Sequence, residues 1–448
     1  MRDWQGGQDE KKLDSDGISL FEAAIHKFRG NLGPGALALP SAVSAVGPYV
    51  GILGLLFVCI PGIYGMVTLV DLKRQLVFRG HNVATFEDVA CLAFGRHGRK
   101  LLEWTILFLQ LGVCVVYIGV ISTAACALPH LSMQCTADGQ PDFFVILLVS
   151  LTLVLPLSML RKIASLMPLS VPGNIAILSA VLGSSSKAIY TLQVADIQMN
   201  GTAHMSSSDF AATTNVQLWP SSIKDVFIYL GAVFYAFEGI ALVLPIENAL
   251  SSSASDPRSR FGYKSTLIAS LSCAVSLFAL VGITCGLAFP DAGGSIVAYL
   301  TRRYPESSSF FILNLCVAAA VLFTFPLQLA PAMPTLESYC CSPKRPLFAQ
   351  PASWVLTRFI VVLSCAAIIG LFRDVKLLIG FVGSITTTIV GAFPFCMALS
   401  LSKCRLIRRM GVFKSTIAAL IICFNLCVMI LGTSSSAKKL LSVIYGKI

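Results

Sequence analysis

Charge is what this sequence has least of. Only 12% of its 448 residues are Asp, Glu, Lys or Arg, against about 25% in an ordinary soluble chain. That shortage excludes a water-soluble domain of this size, and a hydrophobic share of 56% with mean hydropathy +0.79 points to a bilayer as solvent. Histidine is also scarce, 5 in all, and no His, Cys and Asp cluster has metal-ligand spacing. HExxH, GxSxG and P-loop patterns are missing, and every loop is short, so a soluble catalytic domain has no place. The expectation is a protein that is not an enzyme, with no metal and no cofactor beyond a coupling ion. The stretch through Ser19 is polar and lacks the apolar core of a cleavable signal, so the first membrane helix is expected to direct insertion.

Apolar runs of about 20 residues match the hydrocarbon thickness, and they fall at 20–45, 48–77, 101–129, 142–160, 163–183, 223–249, 265–288, 309–337, 353–371, 376–400 and 413–433. The reading is an all-α polytopic membrane protein of eleven spans. A cytosolic N-terminal segment, 1–19, precedes a ten-helix core at 20–400. The core divides into a first half, 20–183, a non-cytosolic loop, 184–222, and a second half, 223–400; residues 401–448 hold an eleventh helix and a short non-cytosolic tail. Net charge +11 would suggest a nucleic-acid partner in a soluble chain. Here it follows from orientation, since basic residues gather in cytosolic loops; the partners expected are lipid and a small molecule, with oligomeric state open. Lys73, Arg74, Arg79, Arg161, Lys162, Arg258, Lys264, Lys344, Arg345, Arg405 and Arg408 all fall on the side assigned to the cytosol, with Lys187, Arg302, Arg303, Arg373 and Lys376 opposite. An odd span count then leaves the C-terminus non-cytosolic. Asn200-Gly201-Thr202 is a glycosylation sequon in the longest far-side loop.

Most of the 15 cysteines, such as Cys59, Cys114, Cys273, Cys316 and Cys423, lie inside apolar runs, where cysteine acts as a small hydrophobe. Cys135 lies in a polar loop, with Cys285 near the same face as a candidate disulfide partner. Cys340-Cys341, at a cytosolic helix end, is either a palmitoylation site or an unmodified boundary pair.

Two apolar spans are broken. Gly30-Asn31-Leu32-Gly33-Pro34-Gly35 interrupts the first, and Tyr235-Ala236-Phe237-Glu238-Gly239 the sixth. In lipid, every backbone N–H and C=O must be satisfied, so such breaks survive only where they line a cavity or bind something. Ala36-Leu37-Ala38-Leu39-Pro40 and Ala241-Leu242-Val243-Leu244-Pro245 follow the breaks at an offset of 205, as in an inverted repeat. Unpaired N–H groups near Asn31, Leu32, Gly33, Pro34 and Gly35 would receive a carboxylate, with Gly33 and Gly35 allowing close approach and positive φ. Carbonyls near Tyr235 and Phe237 would receive an ammonium, with Gly239 beside them. Glu238, a carboxylate in mid-span, is a functional candidate by default; the bland alternative is a structural carboxylate locking the breaks. Glu247-Asn248 reads as a solvated helix end. His26, a turn before the first break, titrates near neutrality or is a plain boundary residue. Tyr117, Asn314, Thr324 and Ser384 are polar groups that line a pathway or bind a cation, or simply bond within the helix bundle.

The run Ile25-His26-Lys27-Phe28-Arg29-Gly30-Asn31-Leu32-Gly33-Pro34-Gly35 with Leu39-Pro40 resembles the first helix of the amino acid/auxin permease superfamily, above all its proton-coupled amino acid transporter branch. Phe234 to Gly239 with Leu244 to Asn248 resembles the sixth helix of that branch, and Gly380-Phe381-Val382-Gly383-Ser384 the start of its tenth. The resemblance implies a LeuT-like 5+5 inverted repeat plus an eleventh helix. It also implies alternating-access transport of small neutral amino acids with protons, His26 falling on the histidine linked to proton coupling, in a vacuolar, lysosomal or plasma membrane. Sodium coupling on the same scaffold and a non-transporting amino-acid sensor are the alternatives. Pro34 departs from the family pattern, which has a small polar residue there, so neighbouring N–H groups are expected to take over its part in carboxylate binding.

Overall fold

The computed structural model describes residues 18–128, 135–136, 140–159, 167–199, 217–250, 260–329, 332–333, 335–336, 351–372 and 374–445. Among them no strand occurs, only isolated bridges joining Ile18 to Leu250 and Cys135 to Pro141. Among the described residues nine helical units are long and apolar enough to cross a membrane, and Phe143–Ser158 is a shorter apolar helix. With the broken first span they make eleven helical crossings, as the sequence predicts.

The first crossing is α1 (Leu20–Asn31) and α2 (Pro34–Ser44). Ser19 caps α1 in a capping box with Glu22, which satisfies two orphan N–H groups. Leu32 and Gly33 form the break. Pro34 then occupies the first position of α2 with Gly33 as its cap; a proline there gives up an N–H that has no intrahelical partner anyway. There follow α3 (Pro48–Phe78), α4 (Phe86–Ala125), α5 (Phe143–Ser158) and α6 (Met167–Met199). The sixth crossing opens the second half as α7 (Ile223–Ala236), a 3-10 turn at Ile240–Leu242 and α8 (Val243–Asn248). After it come α9 (Arg260–Ala288), a short α10 (Ile296–Arg303), α11 (Ser308–Leu329), α12 (Pro351–Phe372), α13 (Val375–Lys403) and α14 (Val412–Tyr445).

Three helices outrun their apolar windows. Capped by Thr85 and Asp88, α4 begins at Phe86, fifteen residues before the apolar run, and bends at Gly95, whose φ is 68°. Helix α6 continues to Met199, so the stretch expected as loop from 184 starts as helix. There the Lys187 ammonium lies over the Tyr190 and Tyr304 rings, at 5.4 and 4.3 Å from their centroids. The tail after 433 is helical to Tyr445, and Lys439 pairs with Asp225 of α7 at 2.5 Å. In each case hydropathy marks the lipid-facing length, while capping and polar pairing set where the helix stops.

The broken crossings are central. Pro34 through Val43 are all buried, and α2 packs on α7 and α9. Small residues permit it: a Cβ on Gly286 of α9 would lie 3.1 Å from the Pro40 carbonyl. On the other side of α7, a π turn at Gly383–Thr387 brings α13 so close that a Cβ on Gly383 would collide with the Gly231 carbonyl.

The disulfide is Cys126–Cys135, with Cα atoms 6.0 Å apart. This corrects the expected Cys135–Cys285 pair: Cys285 is buried within α9 and free, whereas Cys126 ends α4 beside the loop that carries Cys135. Asn200 and Cys340-Cys341 lie outside the described residues.

Candidate functional site

The two breaks are tied together by side chains of α1. Lys27 and Asn31 are four residues apart, hence on one helical face, and that face meets the second break. Lys27 Nζ donates to the Gly239 carbonyl at 2.6 Å, and Asn31 Nδ2 to the Phe237 carbonyl at 3.2 Å. These bonds replace the helical ones that the break forfeits. Lys27 is only 1% exposed and Asn31 2%. An unpaired buried ammonium would cost several kcal/mol; the carbonyl and the charge of the nearby Glu238 carboxylate offset that cost.

Backbone geometry explains why Gly239 is glycine. Its φ is 152°, and a Cβ there would meet Asn31 Oδ1 at 2.7 Å and Lys27 Nζ at 2.8 Å. The first break is different. Gly33 is extended, with φ −119°, and Gly35 is not among the residues of positive φ, so the expectation of left-handed glycines there is corrected. Gly35 is small because α7 is close: a Cβ would sit 3.0 Å from the Ala236 Cα. Around Gly33 there is room, the nearest atom being the Tyr117 hydroxyl at 3.9 Å.

The N–H groups of the first break are partly taken. Leu32 donates to Phe28 and Arg29, Gly33 to Asn31 at 3.2 Å, and Ala36 to Gly33 at 3.1 Å. Pro34 has none, so the Gly35 N–H is the first donor that α2 presents. Two polar atoms of the site are buried without a hydrogen-bond partner, Asn31 Oδ1 and the Tyr235 hydroxyl. Buried polar groups are nearly always paired, and each exception calls for an explanation. Tyr117 of α4 receives a 3.5 Å bond from Gln328 Nε2 of α11, and its hydroxyl, the Tyr235 hydroxyl and Glu238 lie within electrostatic reach of one another.

Asn31, Gly33, Tyr117, Tyr235, Glu238 and Gly239 therefore come together, with Pro34 and Gly35 at their edge. Other predicted residues fall elsewhere. Leu32 packs against Ile177 and Ala320, and the Phe237 ring lies over Gly62 of α3. His26 is half-buried and near Glu22, toward the start of α1. Asn314 donates to the Ala124 carbonyl at 3.3 Å, and Thr324 to Ala320 in its own helix at 2.7 Å. Ser384 is wedged in the π turn between Gly231 and Gly432. Glu247 is not a solvated helix end: it is 8% exposed and binds Lys73 at 3.2 Å and Arg74 at 2.6 Å, which joins α8 to α3. Sequence reasoning missed Lys27 and Gln328. Each had a signal, Lys27 as a charge one turn before Asn31 in a membrane crossing and Gln328 one turn after Thr324.

The fold and its paired breaks define a class: an all-α, multi-pass, LeuT-like membrane protein of eleven crossings. A manganese transporter from Eremococcus coleocola, whose solved structure contains an aromatic bis-isothiourea compound, superposes with TM-score 0.53. That alignment covers 92% of this chain and 86% of that one at 13% identity, a likeness of fold alone. More particularly, a family profile described as "Transmembrane amino acid transporter protein" matches residues 16–437, and the chain belongs to that family, within the amino acid/auxin permease superfamily. Among its relatives, "Vacuolar amino acid transporter 3" of Schizosaccharomyces pombe is 24% identical over 73% of this chain, a match that spans 44% of the yeast protein. "Amino acid transporter AVT3B" and "Amino acid transporter AVT3A" of Arabidopsis thaliana are 26% and 24% identical, over 71% and 93% of this chain and 71% and 88% of their own lengths.

Proposed function

We propose that this protein is a secondary transporter that moves small neutral amino acids by alternating access, coupled to protons. The observation that carries the reading is the pair of unpartnered buried atoms, Asn31 Oδ1 and the Tyr235 hydroxyl, one on each broken crossing, with room left beside Gly33. An amino acid offers both a donor, its ammonium, and an acceptor, its carboxylate. The ammonium suits Asn31 Oδ1 and the Phe237 carbonyl; the carboxylate suits the Gly35 N–H and the tyrosine hydroxyls, aided by the positive end of α2. Pro34 and Gly239 shape this space. The enclosure of the site favours a small substrate and requires the halves to part for entry.

Glu238 is the better of the two proton carriers. It sits in the break near Lys27, whereas His26 lies toward the start of α1, near Glu22. Protonation of Glu238 would remove the charge opposing Lys27 and so alter how firmly α1 holds the second break. A ligand or proton shifts the outward and inward states only by its differential affinity for them. The S. pombe relative's name supports a vacuole-type membrane, and the basic residues gathered in the loops assigned to the cytosol support an N-terminus on that side. The Cys126–Cys135 pair suits an oxidising far side.

Purified protein in liposomes tests this, with pH and sodium gradients imposed separately. Accumulation of a small neutral amino acid under an inward proton gradient is expected. No flux under either gradient would exclude transport and favour a sensor; flux that follows sodium alone would exclude proton coupling.

A further inference from the structure

A monovalent cation held between two broken helices needs oxygens to meet its charge, and in this protein the charge at that place belongs to Lys27. The Gly239 carbonyl accepts from Lys27 Nζ at 2.6 Å, and the Glu238 carboxylate supplies the opposing charge. Asn31 Oδ1 has no partner of its own, and it and Lys27 Nζ converge on the same point, 2.7 and 2.8 Å from where a Gly239 Cβ would be. The carbonyl that holds the ammonium, the amide oxygen that opens onto the same space and the carboxylate charge farther off are oxygen groups of the kind that bind hard cations. The ammonium reaches the second break from α1, at 1% exposure.

We propose that the Lys27 ammonium is the built-in cation of this site: it takes the place of a sodium ion between the two breaks and makes the protein independent of sodium. A tethered cation cannot leave, so it joins α1 to the second break in every cycle. The coupling ion must then act elsewhere in the cluster, which is consistent with Glu238 as proton carrier. The proposal deepens the transport reading and rests on it only for its consequence in flux.

Thermal unfolding of detergent-purified protein is measured in NaCl and in choline chloride at equal ionic strength, with no amino acid present. Wild type is expected to give the same midpoint in both, and sodium-dependent stabilisation of the wild type would overturn the proposal. Lys27→Ala removes the ammonium and leaves the oxygens of the break in place. Its midpoint is expected to rise with the logarithm of sodium concentration, as for any ligand that binds only the folded state. A sodium-insensitive but folded Lys27→Ala would overturn the proposal, because a merely structural lysine leaves no ion site behind. Lys27→Met, which keeps the bulk and discards the charge, is expected to lose proton-driven uptake and to ignore sodium; wild-type flux in this variant would count against a required cation. Should Lys27→Ala not fold, the wild-type and Lys27→Met measurements still decide. Because unfolding is read without substrate, sodium-blind wild type and sodium-responsive Lys27→Ala can hold even if no amino acid is carried, and can fail while transport stands.

Discussion

The two breaks occupy equivalent places in the two halves yet are built on different physics. The first is made by volume. Leu32 and Gly33 turn the chain with ordinary backbone angles, Pro34 starts the next half-helix, and the glycines serve by having no side chain where α7 or a ligand must come close. The second is made by backbone. Gly239 adopts a φ of 152° that other residues rarely reach, and its carbonyl and that of Phe237 are held from outside by Lys27 and Asn31. One break is thus a passive gap and the other a clamped loop. On the proposed reading, a substrate that enters the gap also meets the clamp.

If this contrast is right, Gly239→Ala is the most damaging single change. Strain at that φ costs about 1–3 kcal/mol, and the methyl displaces Lys27 Nζ and Asn31 Oδ1. Loss of uptake with a clear fall in the unfolding midpoint is expected; uptake at wild-type levels would mean the clamp is dispensable. Gly35→Val should come next. Its Cβ would press on the Ala236 backbone at 3.0 Å, and overpacking of this kind costs about 1–3 kcal/mol. Destabilisation should dominate here, measured by thermal unfolding with and without amino acid.

Gly33→Ala tests the opposite property. Nothing lies within 3.9 Å of the added methyl, so the unfolding midpoint should stay near wild type while uptake falls roughly tenfold, a loss of about 1.4 kcal/mol in substrate binding. A fall in stability equal to that of Gly35→Val would erase the distinction between gap and packing glycine. Tyr117→Phe removes a hydroxyl from the approach to Gly33 and is expected to raise KM about fivefold, in line with about 1 kcal/mol for one hydrogen bond. Pro34→Ser is the mildest. At the first position of α2 serine meets no backbone penalty, so the unfolding midpoint should fall less than in Gly35→Val. The added N–H and hydroxyl should shift the order of preferred amino acids. An unchanged order would sever Pro34 from substrate choice.

Much of this was legible in the residues. Apolar length placed the eleven crossings, because hydrocarbon thickness is a fixed ruler. Gly30 to Gly35 and Tyr235 to Gly239 announced the breaks, since glycine and proline in lipid need a reason. Other features were not legible. Cys135 paired with Cys126 rather than Cys285 because pairing depends on where α4 ends, which hydropathy does not mark. Glu247 was read as solvated from its place after Pro245, yet Lys73 and Arg74, far away in sequence, bury it. Asn314 and Ser384 are polar residues in apolar runs like Tyr117 and Gln328, and only their helices' rotations separate packing roles from the site.

What the sequence by itself determined was the solvent, the number of crossings and the places where two of them must break, for each follows from local composition against the bilayer's thickness and dryness. Tertiary structure alone decided which groups meet at those breaks. Lys27 became a buried clamp rather than a boundary charge because α1 turns its face, with Asn31, onto the Gly239 loop some 212 residues away. A charge in a membrane is acceptable or ruinous according to the oxygens brought to it, and those come from another part of the chain.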